Sequence, residues 1–272
     1  MYVGTGKAGT TWLHKVLSAH PDVYVASAKE TNYFDLNYER GEGWYLNHFS
    51  GAADYKSVGE IAHRYIRDGR IAHKIRRDLG LVKILVGLRE PVSYFLSDYQ
   101  FTKRSGLFSG SVEDYAERGF DWDALSYRKM ISPYVAEFGV HNVLLNDFSL
   151  LERDPQFYLD RICIFLEVTP FELSADLSGA VNIAKTARSH LITKPVTLTS
   201  KWLKRRGQQR LVHIAKSNAA VQRILYKSVK ERPIVPPYLQ KRLRSEVIDD
   251  LRWLEDNFHL DLSASWAFPP QE

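Results

Sequence analysis

The chain of 272 residues has a single cysteine, Cys163, so no disulfide can form within it. That residue lies in Arg161-Ile162-Cys163-Ile164-Phe165-Leu166, an apolar setting that suits a buried thiol, and a reducing, cytoplasmic location is expected. Apolar runs of membrane-spanning length, about 18 residues or more, are missing. Met1 leads at once into a glycine-rich stretch, so neither a signal peptide nor a membrane anchor is expected. No internal repeat or low-complexity tract is present, and no His, Cys and Asp grouping has metal-ligand spacing. Acidic residues are absent from 177 to 230, a segment with twelve Lys or Arg, whereas the remainder carries 25 basic against 32 acidic residues. The net charge of +5 is therefore concentrated in one segment. Such asymmetry suits an anionic partner such as a polyphosphorylated cofactor, an acidic polymer or a lipid headgroup surface; a solvated basic helix face is the plainer explanation. With 44% hydrophobic and 25% charged residues, the chain can bury a core sufficient for one domain.

Glycines, by contrast, are grouped where they matter. Val3-Gly4-Thr5-Gly6-Lys7-Ala8-Gly9-Thr10-Thr11-Trp12-Leu13 separates a short apolar start from a helical pattern. Glycines let the backbone turn tightly and aim successive N–H groups at an anion, and the positive end of the following helix adds to the attraction. Lys7 supplies a movable charge, and the Thr10 and Thr11 hydroxyls donate to phosphate oxygens. The ordinary nucleotide loop, G-x-x-x-x-G-K-[ST], places lysine directly after its last glycine. Here Lys7 precedes Gly9 by two residues and Thr10 stands where that lysine would be, so the loop departs from the ATP-binding pattern. The competing explanation is a glycine-rich turn that caps a helix.

Along the chain, Trp12, Leu13, Val16 and Leu17 fall at helical spacing, and His20-Pro21 ends that helix. Val23 to Val25 reads as a short strand, followed at once by Ala28-Lys29-Glu30-Thr31-Asn32-Tyr33-Phe34. Ligands meet α/β proteins at the carboxyl ends of strands, which places Lys29 and Glu30 near the glycine loop. Tyr38 to Phe49 reads as a polar, glycine-broken loop leading into a short aromatic helix, and Ile66 to Leu79 as an amphipathic helix. Val82 to Leu88 reads as a second strand ending in Arg89-Glu90-Pro91, with Pro91 opening a helix on which Ser97 lies. An Arg suits phosphate because its planar fork makes two hydrogen bonds at once, although an Arg at a strand end is more often in a surface ion pair. Asn142 to Phe148 reads as another strand, Asp154 to Leu166 as a helix packed behind it, and Leu239 to Phe258 as a final helix closed by Trp266.

Three pieces in this order form a constellation: the Lys7-x-Gly9-Thr10-Thr11 loop, the Lys29-Glu30 pair, and Arg89-x-Pro91 with Ser97 eight residues after the Arg. With these residues the chain resembles the sulfotransferases that use 3'-phosphoadenosine 5'-phosphosulfate (PAPS). The resemblance implies an α/β fold with a P-loop-type parallel sheet flanked by helices. It also implies one sulfotransferase domain over residues 1–272, of which 177–272 form a basic, mainly helical C-terminal portion. It implies that Gly6, Lys7, Ala8, Gly9, Thr10 and Thr11 hold the 5'-phosphosulfate, that Arg89 and Ser97 hold the 3'-phosphate, and that Trp12 stacks on adenine. Lys185 and Arg188, within Asn182 to Ser189, look like the late cofactor loop. Lys29-Glu30, Tyr33-Phe34, Trp44-Tyr45 and Phe49 are similar to the heparan sulfate and bacterial carbohydrate branch, which implies a sugar-containing acceptor.

Sulfuryl transfer requires three things of the protein: neutralising the leaving phosphate, holding the sulfuryl group in line, and deprotonating the acceptor. Lys7 suits the first task and Glu30 the last, with Lys29 beside it. His63 is the rival base because histidine titrates near neutrality. The structural alternatives are an ion pair for Glu30 and a surface histidine for His63. No metal is expected, since PAPS lacks the polyphosphate chain that magnesium bridges, and no nucleic-acid partner is expected. Residues 201–230, with Trp, Leu, Val and Ile between basic residues, suit a peripheral membrane or polyanion contact, or a packed helix with a solvated basic face. Two other function classes stand beside the transferase: an ATP-dependent kinase with an atypical P-loop, and a non-catalytic nucleotide or anion-binding module.

Overall fold

Short apolar strands that alternate with helices are connected most simply as a parallel sheet with helices on its faces. A computed structural model of the chain, which describes residues 1–178, 185–187, 226–228 and 233–268, has this arrangement. The sequence reads as one domain, and the fold divides into two compact units. The first comprises Met1–Glu90, Ala124–Val181 and Glu246–Glu272, and the second Pro91–Asp123 and Asn182–Ser245.

The first unit begins with β1 (Tyr2–Gly4), α1 (Thr10–Ala19), β2 (Val23–Val25), α2 (Tyr33–Leu36), α3 (Gly41–Leu46), β3 (Ser57–Gly59), α4 (Arg70–Leu79) and β4 (Ile84–Leu88). After α5 (Pro91–Arg104) and α6 (Val112–Arg118), which belong to the second unit, it resumes with α7 (Tyr127–Phe138) and β5 (Val143–Asp147). Then come α8 (Phe148–Arg153), α9 (Pro155–Leu166) and α10 (Ala175–Ser178). The second unit also holds β6 (Lys185–Ala187), β7 (Tyr226–Ser228) and α11 (Pro237–Ser245), and the first closes with α12 (Ile248–Phe258) and α13 (Leu262–Ser265).

Strands β1, β4 and β5 pair in that order, all parallel, with Leu85 opposite Tyr2 and Leu144, and Leu88 opposite Asp147. β2 and β3 form a second parallel pair. The residue after Glu60 joins the two, since Ile61 bridges Tyr2 in parallel. All five residues of β4 are buried, as expected of a parallel strand covered on both faces. Trp12 and Leu13 of α1 share one apolar cluster with Leu85 and with Tyr158, Leu159 and Ile162 of α9. Ile71 and Ile75 of α4 and Ile131 and Tyr134 of α7 are equally buried, and these two helices pack together.

In the second unit a Ser111–Asp114 capping box starts α6. Tyr115 then donates to Asp98 on α5 at 2.7 Å. β6 and β7 pair antiparallel, and the Arg242 guanidinium of α11 lies 4.1 Å from the centre of the Trp122 ring.

Three segments differ from the sequence reading. Residues 38–49 are helical almost throughout, because Tyr45 is buried and stacks on Tyr33 at 4.5 Å between ring centres. Such aromatic packing outweighs the helix penalty of glycine, about 1 kcal/mol each. The helix expected over 66–79 is α-helical only from Arg70, since Tyr65–Arg67 form a separate 3-10 turn and the Asp68 carboxylate turns the chain by accepting the Arg70 N–H at 3.0 Å. The helix expected over 239–258 breaks between Ser245 and Ile248, where the chain passes from the second unit to the first.

Two stability outcomes follow from polar ties in the first unit. Asp147 is buried and accepts from the Ser149 N–H, the Ser149 and Ser265 hydroxyls and the Trp266 indole. Asp147→Ala leaves these donors unmatched and is expected to lower unfolding free energy by about 2–4 kcal/mol, read by denaturant titration. Asp22 is held well below the usual carboxylate range by the Thr169 hydroxyl first, then by Lys56 and the Thr169 N–H. A depressed carboxyl stabilises the fold above its unfolded pKa, near 3.9, and loses that contribution as pH falls. The stability difference between the wild type and Asp22→Asn is therefore expected to be constant above about pH 5 and to shrink below it.

Candidate functional site

The glycine loop leaves β1 at the carboxyl edge of the sheet. Thr5 ties it to β4 through its N–H and its hydroxyl, both donating to the Gly87 carbonyl at 2.9 and 2.8 Å. Gly87 has no alternative, because a Cβ there would sit 2.4 Å from the Tyr2 hydroxyl and 2.8 Å from the Ala8 methyl. Ala8 is buried beneath the loop. Lys7 is half-buried with φ 64°, and its carbonyl accepts from Arg89 Nη1 at 2.6 Å. Gly9 caps α1 at φ 81°, a left-handed conformation open to glycine, and a Cβ on it would meet Leu151 Cδ2 at 2.6 Å. No side chain caps α1 and no acidic residue stands in its first turn. The positive field at its start is thus directed at the loop, and a phosphate fits there.

A second segment meets this loop from the end of β2. Lys29 donates to the Thr11 hydroxyl at 2.8 Å and approaches that of Thr10 at 3.5 Å. Two lysines and two hydroxyls accordingly gather at the start of α1. The next residue, Glu30, has φ 61°, and its Oε1 lies 2.9 Å from His63 Nδ1. The Glu30 side chain is 13% exposed and that of His63 33%. The His63 ring packs on the loop, with Cδ2 3.0 Å from where a Cβ on Gly6 would lie. The two residues that the sequence offers as rival bases therefore form one pair against the loop.

Arg89 leaves β4 with its guanidinium 4.3 Å from the centre of the Phe148 ring, and its own carbonyl accepts from the Tyr127 hydroxyl at 2.5 Å. Ser97 lies half-buried on α5, in the second unit. Lys185 lies in β6, while Arg188 and nearly all of 201–230 lie outside the described residues. Trp12 is a core residue: it is 4% exposed, its indole N–H donates to the Leu177 carbonyl at 2.8 Å, and Tyr158 meets its ring edge-on. This geometry gives the adenine-stacking role no support, since no open ring face is presented. Tyr45 is likewise core, and Trp44 is half-buried under the Arg40 guanidinium at 5.1 Å.

Glu60 is the polar residue that sequence reasoning passed over. It is 2% exposed and accepts from Thr31 at 2.6 Å and from the Tyr45 and Tyr65 hydroxyls at 3.1 Å each. Burial pushes its carboxyl above the usual range, against the pull of these three hydroxyls. The available signal was an acid beside the apolar pair Ile61-Ala62, directly after a strand.

The family model described as "Sulfotransferase domain" matches residues 1–189. A membrane-associated sulfotransferase of Dictyostelium discoideum is 36% identical over 103 residues, which cover 37% of this chain and 22% of that protein. Heparan sulfate glucosamine 3-O-sulfotransferase 3A1 of Mus musculus is 28% identical over 174 residues, covering 60% of this chain and 44% of that protein. The chain spans less than half the length of these curated relatives. A solved sulfotransferase from Alicyclobacillus acidocaldarius superposes with a TM-score of 0.54 at 23% identity, over 78% of this chain and 94% of that one, and so shares its fold.

The loop geometry makes opposite forecasts for two glycines. Gly9→Ala is expected to cost about 1–3 kcal/mol in denaturant unfolding and to weaken anion binding, because it strains φ and strikes Leu151. Gly43→Ala, in α3 with open space around the added methyl, is expected to gain about 0.5–1 kcal/mol.

Proposed function

The chain belongs to the sulfotransferase domain family, and from that premise we propose that it transfers a sulfuryl group from PAPS to a hydroxyl or amine of a sugar-containing acceptor. The observation that carries this reading is the convergence of Lys7, Lys29, the paired Glu30 and His63, and Arg89 around one loop at the carboxyl edge of a parallel sheet. PAPS supplies a sulfuryl group already joined to a phosphate leaving group. Lys7 opposes the negative charge released on the phosphate side, where a preorganised cation acts at little reorganisation cost. Lys29 fixes the Thr10 and Thr11 hydroxyls toward the same anion. Arg89, anchored through the Lys7 carbonyl, suits the 3'-phosphate. The acceptor proton passes to the Glu30 carboxylate, and His63 at 2.9 Å shares the charge. The heparan sulfate enzymes among its relatives support a carbohydrate acceptor, as does the Lys29-Glu30 pair.

The kinase reading needs a lysine directly after Gly9, and Thr10 stands there. Calorimetric titration separates the two: tight PAP binding without metal is expected, whereas ATP binding that requires magnesium, with no PAP binding, would refute the transferase. Lys7→Ala and Arg89→Ala are expected to abolish PAP binding. Glu30→Ala is expected to keep it and to lose about a hundredfold or more in kcat, read with radiolabelled PAPS over a panel of glycans, glycolipids and phenols. Retained turnover in Glu30→Ala together with loss in His63→Ala would move the base to His63.

A further inference from the structure

The most buried carboxyl near the site makes no contact that the transfer requires. Glu60 nevertheless meets three segments that carry the chemistry. Its carbonyl accepts from the Tyr2 N–H at 2.9 Å, on the strand that launches the loop. The next carbonyl, that of Ile61, accepts from the Glu30 N–H at 3.1 Å, and His63 follows two residues later. The side chain makes the third link, since its Oε2 holds the hydroxyl of Thr31, which is fully buried and adjacent to Glu30.

That link bears on a turn which would not hold its shape alone. Glu30 at φ 61° and Asn32 at φ 52° both occupy the left-handed region that non-glycine residues rarely adopt. Asn32 closes the turn by donating to the Glu30 carbonyl at 2.7 Å, and Asn37 donates to the Thr31 carbonyl at 2.8 Å. Between the two left-handed residues sits Thr31, whose hydroxyl accepts from the Tyr33 N–H at 3.2 Å while donating to Glu60. Tyr65 braces the far side, donating to Glu60 Oε1 and accepting from the Phe34 N–H at 3.3 Å. A carboxylate is the one side chain that accepts from three hydroxyls through two oxygens; an amide in its place spends one of its two ends as a donor.

We propose that Glu60 is a positioning residue for the transfer: it fixes the turn at Thr31 so that the Glu30 carboxylate is held against His63 and the loop. The proposal rests on Glu30 as the general base, and it assigns Glu60 no contact with either substrate. Misplacing a reacting group by about 1 Å costs up to a hundredfold in rate while leaving a remote binding loop intact. Glu60→Gln keeps volume and all backbone ties, whereas Thr31→Val keeps volume and removes the hydroxyl that joins Glu60 to the Tyr33 N–H.

The test measures PAP affinity by calorimetry and turnover with radiolabelled PAPS. Heparan sulfate serves as the acceptor probe, and release of inorganic sulfate is the readout where that glycan is not taken. Both variants are expected to bind PAP within about twofold of wild type and to lose between about tenfold and a hundredfold in kcat. In a Glu30→Ala background, Glu60→Gln is expected to cause no further loss, because its effect acts through Glu30. Unchanged kcat in both variants, a parallel fall of PAP affinity and kcat, or a full additional loss on top of Glu30→Ala would each overturn the proposal. Should Glu60→Gln fail to fold, Thr31→Val decides alone and in the same double-mutant design. Wild-type turnover in Glu30→Ala refutes the base assignment instead, a result distinct from failure of the Glu60 variants while Glu30→Ala is inactive.

Discussion

Every group at the site depends on a three-residue strand hydrogen-bonded on both sides. On one side Tyr2 donates to the Glu60 carbonyl and accepts from Ala62; on the other, Leu85 donates to the Met1 carbonyl and Thr5 to that of Gly87. Because the neighbours run parallel to β1, their carboxyl ends emerge at the same edge, and that edge is where α/β proteins meet ligands. The loop with Lys7, the segment with His63 and the strand end with Arg89 are thus brought together by backbone pairing before any side chain acts. Strand pairing this short leaves little tolerance: the close fit of Gly87 under Tyr2 and Ala8 holds the loop on β4.

The interior of the unit contains a carboxyl group, Glu60, whose burial must be offset. Removing a carboxylate from water costs several kcal/mol after relaxation, while a hydrogen bond to a charged group returns about 1.5–3 kcal/mol. Three hydroxyls on Glu60 give a sum of the same size, so the cluster is close to neutral for stability and its value lies in geometry. Removing one hydroxyl tips that balance against ionisation, which ties the turn at Thr31 to the protonation of Glu60. Arg89 follows a similar logic with different partners, one N–H on the Lys7 carbonyl and a flat face on Phe148. Its plane is thereby set before an anion arrives.

The loop, the strand ends and the Lys29-Glu30 pair were legible because each follows from local chemistry: glycine where φ is positive, apolar runs where both faces are covered, polar residues just beyond. Legibility ended where the structure depends on contacts distant in sequence. Glu60 looks ordinary until Thr31, Tyr45 and Tyr65 converge on it, and no spacing encodes that convergence. Trp12 has the loop position that the family resemblance ties to adenine, yet its ring is buried with Tyr158 edge-on, a contact no local pattern encodes. The first part of 38–49 looked like a loop ahead of a short aromatic helix because Gly41 and Gly43 are weak helix formers, and the stacking of Tyr45 on Tyr33 overrode them. The helices α6 and α7 were not anticipated. α6 is only seven residues long and α7 carries Pro133 inside it, so neither presents a clean helical signature.

The pairing of Glu30 with His63 changes what the choice of base means. Glu30 Oε1 and His63 Nδ1 stand 2.9 Å apart as an ion-pair contact, without the alignment of a hydrogen bond. Nε2 lies toward the loop, 3.6 Å from the position of a Cβ on Gly6. The imidazole therefore stands between the Glu30 carboxyl and the loop. An imidazolium beside a carboxylate attracts more strongly than a neutral imidazole beside either form of the carboxyl. The separation of the two groups is fixed by the turn at Thr31 and by the packing of His63 on Gly6, so the position of one candidate base depends on that of the other.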